Sequence, residues 1–598
     1  MINDALGSSA PLVDPSPVTP ATSTDPVSPF TSVSQEPVAT DGPDTINGTA
    51  GPGEIDAKGG NDYVSGSAGG DIIHGGAGDD VISAERLSIG ERTTTSRTGG
   101  DAPNDCEHSA LQALRSYLGP KDIAGVEACL NAILARLPSP ENLSTNTLLV
   151  AYGGGKDSSY MLAFVRLVQL LLLEQRGDTF KLRISTNRHG GMPSAVMNNI
   201  HTVYLRLGIY GDQYVEPLLV DGNEVHPFQV NRKLPAAVVE RNRRDILLSG
   251  HRTQADARPT FCNACNLSMM NSFGLASWYQ GGVDLIITGD SIFEQRSYAL
   301  WVNRLAQRLG VDHTGPKSKR TPGFAGFLKT LDGISEHYFS EIHGRDSPQL
   351  ADRRIYFNDR ERGPEFFSIY RFTGYSARDH WPLLTEFLGF QFDELAFSFS
   401  ESDCANPALM AHLRGLKTQY LYARTYEEGV REYAEFALEL MQSKDFPEIL
   451  IDEMKRRYAS PQAIQSMRRK ISEFAYESFG LTESQMIAMV YSPFVCAGKN
   501  LERYIFEQAV VLVPFLGEVR ELLAGTAPTA DTTDLWIADV LTRKTGLSLK
   551  EMRDCYRFDS RDGSSLFKTI LERDPHKKLV RTVQSPGGAP VAEWISGR

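Results

Sequence analysis

The apolar and polar positions of the chain fall into stretches with three different periods. Between residues 42 and 83, Ile46, Ile55, Val64, Ile73 and Ile82 recur every nine positions. Gly42, Gly51, Gly60, Gly69 and Gly78 keep the same interval, and Asp44, Asp62, Asp71 and Asp80 stand two places before four of the aliphatic residues. A repeat this short predicts a stack of strand-and-turn units, each burying its apolar side only against its neighbours. From 105 to 137 the spacing turns helical, with Leu111, Leu114 and Leu118 followed by Val126, Leu130, Ile133 and Leu134. Short unbroken apolar runs then alternate with helical stretches. Strands are predicted at 147–152, 181–186, 214–220 and 283–288, and helices at 158–174, 195–207 and 267–279. Runs without polar alternation suit strands buried on both faces. The alternation predicts an α/β domain over 105–345, a parallel sheet wound with helices. From 346 to 584 the pattern is mostly helical, clearest at 427–442, 447–458 and 460–479.

Composition adds the boundaries. Residues 1–41 are rich in Pro, Ser and Thr with few large apolar side chains, which predicts a disordered tail; 84–104 reads as a linker and 585–598 as a fraying end. At about 150 residues per domain, 598 residues of which 41% are hydrophobic suit two to four folded units. A net charge of −13 disfavours tRNA or another polynucleotide as partner, because phosphate attraction supplies much of such affinity. Two local basic clusters stand out: Arg241, Arg243 and Arg244, and Lys317, Lys319 and Arg320. Each reads either as a loop closing over phosphates or as a solvated surface loop. Seven dispersed cysteines make no disulfide framework. The N-terminal residues lack the basic and apolar regions of a secretory signal. The greasiest run, 160–173, is too short for a bilayer and carries Arg166. These features predict a soluble, cytoplasmic protein with no membrane partner.

The residues that carry chemistry follow the first apolar run: Gly153, Gly154, Gly155, Lys156, Asp157, Ser158 and Ser159. Strand, glycine turn and helix together put a helix N-terminus and a row of main-chain N–H groups at the carboxyl edge of a parallel sheet, where phosphate is attracted. Glycine lets an anion approach the main chain, Ser158 and Ser159 are available as caps and donors, and Lys156 adds a charge. Asp157 after Lys156 excludes a Walker A loop, and no glycine follows at the spacing of a dinucleotide fingerprint. The segment instead resembles the PP-loop signature S-G-G-x-D-S of ATP pyrophosphatases, with Gly153 in place of the first serine. The resemblance implies ATP with its pyrophosphate part in this turn, adenine near 185–188, and Mg2+ on the phosphates, helped by Asp157 and Asp290. Asp290 reads equally as a helix cap. The chemistry implied is attack of a substrate oxygen on the α-phosphate, loss of pyrophosphate, and displacement of AMP by a second nucleophile.

A second informative stretch is 257–291, with Cys262 and Cys265 before a predicted helix and Ile287-Thr288-Gly289 ahead of Asp290. It resembles the tRNA-thiolating PP-loop enzymes, in which a C-x-x-C opens a helix. A cysteine at a helix N-terminus carries more thiolate. The resemblance implies sulfur transfer by persulfide, or a [4Fe–4S] cluster held with Cys404 as third ligand. A structural Zn2+ site and two inert buried cysteines remain the other readings. The expected substrate is a small molecule or peptide, with a sulfur-donor protein. The rival reading is a PP-loop amidotransferase or ligase fed by a nitrogen-donor protein.

The nine-residue repeat, clearest in GGAGDDVI at 75–82, resembles the RTX nonapeptide array. That resemblance implies a parallel β-roll in which Asp62, Asp71 and Asp80 share Ca2+ through oxygen ligands. A short Gly/Asp-rich linker is the plain alternative. Calcium sites of this kind suit a secreted or surface protein with a vestigial PP-loop, the third reading.

Overall fold

The computed structural model describes residues 45–47, 54–56, 63–66, 72–74 and 81–84, and 104–596 apart from 291, 312–322, 359–362, 375–379, 392–394, 396–406, 444–445, 526–530, 560–564, 567, 570–576 and 586. The tail at 1–41, nearly all of the linker, Asp44, Asp62, Asp71, Asp80, Cys404, Lys317, Lys319 and Arg320 lie outside the described residues. Contacts divide the chain into two compact units, one holding the repeat and one holding everything from Pro103 onward.

In the small unit, the in-phase aliphatics fall on five short strands: β1 (Thr45–Asn47), β2 (Glu54–Asp56), β3 (Tyr63–Gly66), β4 (Ile72–His74) and β5 (Val81–Ala84). They pair in parallel but by alternation, β1-β3-β5 in one sheet and β2-β4 in another. Ile46 lies opposite Val64, Val64 opposite Ile82, and Ile55 opposite Ile73. Each strand therefore finds its partner two nonapeptides further on.

The large unit is α/β, built on a six-stranded sheet of β6 (Thr147–Ala151), β7 (Lys181–Arg188), β8 (Val215–Asp221), β9 (Glu224–Pro227), β10 (Leu285–Thr288) and β11 (Glu365–Ser368). The order is β11-β10-β6-β7-β8-β9, parallel except for the β8–β9 hairpin. Leu148, Leu149, Val150, Leu182, Ile184, Leu285, Ile286 and Ile287 are buried, as their unbroken apolar runs require. The chain runs outward from β6 to β8, then returns to the other side of β6 for β10. The order thus reverses between β6 and β10, and such a reversal opens a crevice outside the carboxyl ends of the strands.

Helices cover both faces. In chain order the first six are α1 (Asn104–Tyr117), α2 (Pro120–Leu134), α3 (Lys156–Arg176), α4 (Ser194–Arg206), α5 (Ala236–Thr253) and α6 (Ala257–Trp278). On β7, Thr186 meets Tyr204 of α4, whereas Arg183 donates to the carbonyls of Ala276 and Tyr279 at the end of α6. Positions 183 and 186 differ by an odd number and point to opposite faces, so α4 and α6 lie on either side of the sheet. Arg166, the polar break in the greasiest run, is fully buried inside α3. It pairs with Asp212 at 2.6 Å and donates to the carbonyls of Leu207 and Gly208 at 3.1 Å, tying α3 to the α4–β8 connection.

Beyond β11 the chain is mainly helical, and Tyr426–Ser443, Glu448–Arg457 and Pro461–Phe479 match the predicted stretches within two residues. Two features depart from expectation. β11 brings a parallel strand into the sheet from beyond residue 345. The segment expected to fray from 585 instead contains β13 (Val591–Ser596), paired antiparallel with β12 (Lys577–Thr582). Glu593 fastens this hairpin, accepting from Arg414, Lys417 and the Tyr422 hydroxyl at 2.7–2.8 Å. Burial acts to raise its pKa, but the Lys417 and Arg414 cations outweigh that and hold it at about 2. Among the described residues no helix is long and apolar enough to cross a membrane.

Two predictions follow from this packing. Asp212→Ala strands the Arg166 charge in the core and should cost about 3–5 kcal/mol in urea unfolding. His251, stacked on Phe494 with neither ring nitrogen hydrogen-bonded among the described residues, is held neutral by burial with its pKa lowered to about 3, and burial lowers His412 to about 4. The unfolded chain takes up protons at these sites below pH 6.5 while the folded chain does not. Their stabilisation is therefore complete above that pH and drains away as pH falls toward the folded values. Urea midpoints should drop on acidification, and less steeply in His251→Leu.

Candidate functional site

β6 ends at Ala151, and Tyr152, Gly153, Gly154 and Gly155 lead directly into α3 at Lys156, so the strand–turn–helix expected there is present. Gly154 has φ +75°, and a Cβ on it would lie 2.7 Å from Ile200 Cγ1 and 2.9 Å from Val196 Cγ1 of α4. Glycine is required there both for its backbone angle and for the close approach of α4. Gly155 is the N-cap, and no side chain caps it. The first N–H groups of α3 lie at the positive end of a 21-residue helix. Ser158 and Ser159 do not cap, contrary to expectation. They lie inside the first turn and donate back to the Gly155 carbonyl at 3.0 and 2.8 Å, and Ser159 also meets the Tyr152 hydroxyl at 2.9 Å. Burial pushes that phenol well above its ordinary pKa, leaving it a neutral partner. Lys156 is buried, with Nζ 3.0 Å from the exposed Asp157 carboxylate.

The two neighbouring strand ends complete the crevice. Ile287 is in register with Val150, so Gly289 and Asp290 leave the sheet beside the glycine turn. Asp290 is buried, and its carbonyl accepts from Ser368 Oγ of β11 at 2.6 Å. On the other side Ser185 is in register with Ala151, and Ser185 and Asn187 share the α6 face with Arg183. The Ser185 hydroxyl and both polar atoms of the Asn187 amide are shut off from solvent and hydrogen-bond to nothing among the described residues. Each such atom costs about 1–3 kcal/mol if left unanswered. Three of them at one strand end mark a place that a polar molecule would complete. Asn187 was not singled out from the sequence, where an asparagine ending an apolar run looks like any turn residue. Arg188, in the stretch expected near a base, is committed elsewhere: it pairs with Asp221 at 2.8 and 2.6 Å and donates to the carbonyls of Arg232 and Lys233.

Cys262 and Cys265 were expected at a helix start. The helix begins ten residues earlier than predicted, at Ala257, because Pro259 falls in its first turn, where proline is tolerated. The cysteines therefore lie in its second and third turns, both buried and one turn apart on one face. The effect of a helix end on thiolate formation fades within the first turn and does not reach them in full. Among the described residues no three His, Cys, Asp or Glu side chains gather as a metal site. The pair supplies two thiols toward a zinc or cluster set, and Cys404 is not described. The carboxylates of Asp157 and Asp290 are oxygen ligands of the type magnesium takes.

The arginine cluster also lies on a helix, α5, rather than on a loop. Arg244 pairs with Glu551 at 2.6 Å and Arg243 donates to the Gly480 carbonyl at 3.1 Å. Arg241 makes no ion pair or hydrogen bond among the described residues and leans over Gly222, where an added Cβ would lie 3.2 Å from its Nη1.

Residues 54–86 match the family described as RTX calcium-binding nonapeptide repeat, in four copies. No curated protein and no solved structure matches the chain.

The two constraints on Gly154 can be separated by mutation. Gly177 also has positive φ, at +69°, but a Cβ there meets nothing. Gly177→Ala should cost about 1 kcal/mol from the backbone angle alone. Gly154→Ala should cost about 1–3 kcal/mol more through overpacking against α4. Urea unfolding of both variants measures the difference.

Proposed function

We propose that the large unit is a PP-loop ATP pyrophosphatase with a HUP-type sheet, adenylating a substrate oxygen and releasing pyrophosphate. The observation that carries this is the reversal of strand order between β6 and β10, with the glycine turn and the N-terminus of α3 on one side and Asp290 on the other. In this reading the pyrophosphate part of ATP lies on the N–H groups of the turn and the start of α3, neutralised by Lys156. The base lies toward Ser185 and Asn187, whose unanswered polar atoms suit the edge of a purine. Magnesium would be held by Asp157 and Asp290 and would offset charge on the phosphates. The chain's own part is to fix the α-phosphorus in line with the attacking oxygen and to hold the leaving pyrophosphate.

For the second step we favour sulfur transfer through Cys262 and Cys265, with sulfur brought by a donor protein and a small molecule or peptide as acceptor. C–N bond formation by an amidotransferase or ligase is the alternative, favoured by the position of both cysteines inside α6 rather than at its start. The match at 54–86 supports calcium binding by the repeat, through Asp62, Asp71 and Asp80 in a β-roll. The ATP chemistry argues for the cytoplasm and the repeat for secretion; we place the enzyme in the cytoplasm.

Pyrophosphate release from ATP is the primary test, and Lys156→Ala should slow it about 10²-fold. No release by the wild-type chain with any acceptor, together with no ATP binding, would sink the reading. Cys262→Ser and Cys265→Ser should abolish product if sulfur is transferred and leave it if an amide forms. Calorimetric titration of calcium, with Asp71→Asn and Asp80→Asn as controls, tests the repeat.

A further inference from the structure

A cleft of at most about 690 Å³, its open mouth included, lies at the carboxyl ends of β7 and β8, between α5 and α6. Its apolar lining includes Phe261 of α6, Phe339 and Phe479, all buried aromatic rings. Its polar lining includes Arg241 and Asn242 of α5 and Cys265 of α6.

The charges around the cleft decide what it takes. Three of its arginines are already paired: Arg188 with Asp221, which Arg232 shares, Arg353 with Asp245 and Arg354 with Asp332. Asp245 is further engaged by His343 at 2.6 Å, and Asp352 is exposed at the rim. Arg241 is left with its guanidinium uncommitted among the described residues, beside Asn242, whose amide also has no partner there. One uncommitted cation calls for one negative charge. A planar guanidinium fork fits carboxylate and phosphate alike, and a lone cation matches the single charge of a carboxylate better than the double charge of a phosphate dianion.

We propose that this cleft binds the acceptor as a small monocarboxylate with an aromatic or branched aliphatic body. The carboxylate sits on Arg241 and Asn242, and the body lies among the three phenylalanines with Cys265 at the wall. Its role as acceptor site rests on the ATP-dependent reading above; the binding itself does not.

The test therefore omits nucleotide. The full chain is titrated calorimetrically with phenylacetate, indole-3-acetate and 4-methylpentanoate, with the matching carboxamides, and with phenyl phosphate. At least one carboxylate should bind, and its carboxamide should bind at least about tenfold more weakly, as loss of a charge-assisted hydrogen bond implies. Arg241→Gln should weaken the carboxylate by a similar factor with the melting temperature unchanged, and Arg241→Lys should fall between. If Arg241→Gln does not fold, the Arg241→Lys and carboxamide comparisons carry the test. No carboxylate bound at millimolar concentration, equal binding of acid and amide, binding indifferent to Arg241, or binding of phenyl phosphate alone would each overturn the assignment. Pyrophosphate release, assayed separately with Lys156→Ala, reports on the nucleotide reading, so the two fail independently.

Discussion

The architecture depends on β6 pairing in parallel on both edges, with β7 on one side and β10 on the other. β7 follows β6 through one helix, whereas β10 arrives after an excursion of 133 residues from the end of β6. The helices serving the two sides therefore cover opposite faces, and no connection crosses the ends of β6 and β10 at their junction. The gap left there receives three strand ends at once: the glycine turn from β6, Asp290 after β10, and Ser185 with Asn187 from β7. None is chemically distinctive alone. Pairing geometry brings them to one edge of the sheet.

Burial on both faces also explains how the site is held still. Gly154 is pinned by Ile200 and Val196, and α3 is anchored further along by the Arg166–Asp212 pair. The glycine turn is thus a fixed corner of the core. A site whose main-chain donors are already oriented loses little on binding an anion, which is the energetic advantage of building it from backbone.

Much of this was legible because the signals were long or doubly determined. The buried strands announced themselves as unbroken aliphatic runs, and the turn after β6 carried three consecutive glycines. The nonapeptide array kept phase over five repeats. What escaped had short or ambiguous signals. β11 contributes four residues whose pairing with β10 is set by distant contacts. The helix α6 starts ahead of Pro259, in the one turn where a missing N–H is harmless, and this places Cys262 and Cys265 in its interior rather than at a helix start. The arginines of α5 looked alike in sequence. Only packing against Glu551 and Gly480 separates the two committed ones from Arg241. β13 was hidden because its anchor, Glu593, meets partners more than 170 residues away in sequence.

The alternating pairing in the small unit gives it a property that a simple stack would lack. Odd-numbered strands form one sheet and even-numbered strands the other, so the array has parity. Excising a single nonapeptide from its middle would move every later strand to the opposite sheet. Excising two in a row would leave each survivor in its own layer. Evolutionary growth or shrinkage of such an array is therefore smoother in steps of eighteen residues than of nine.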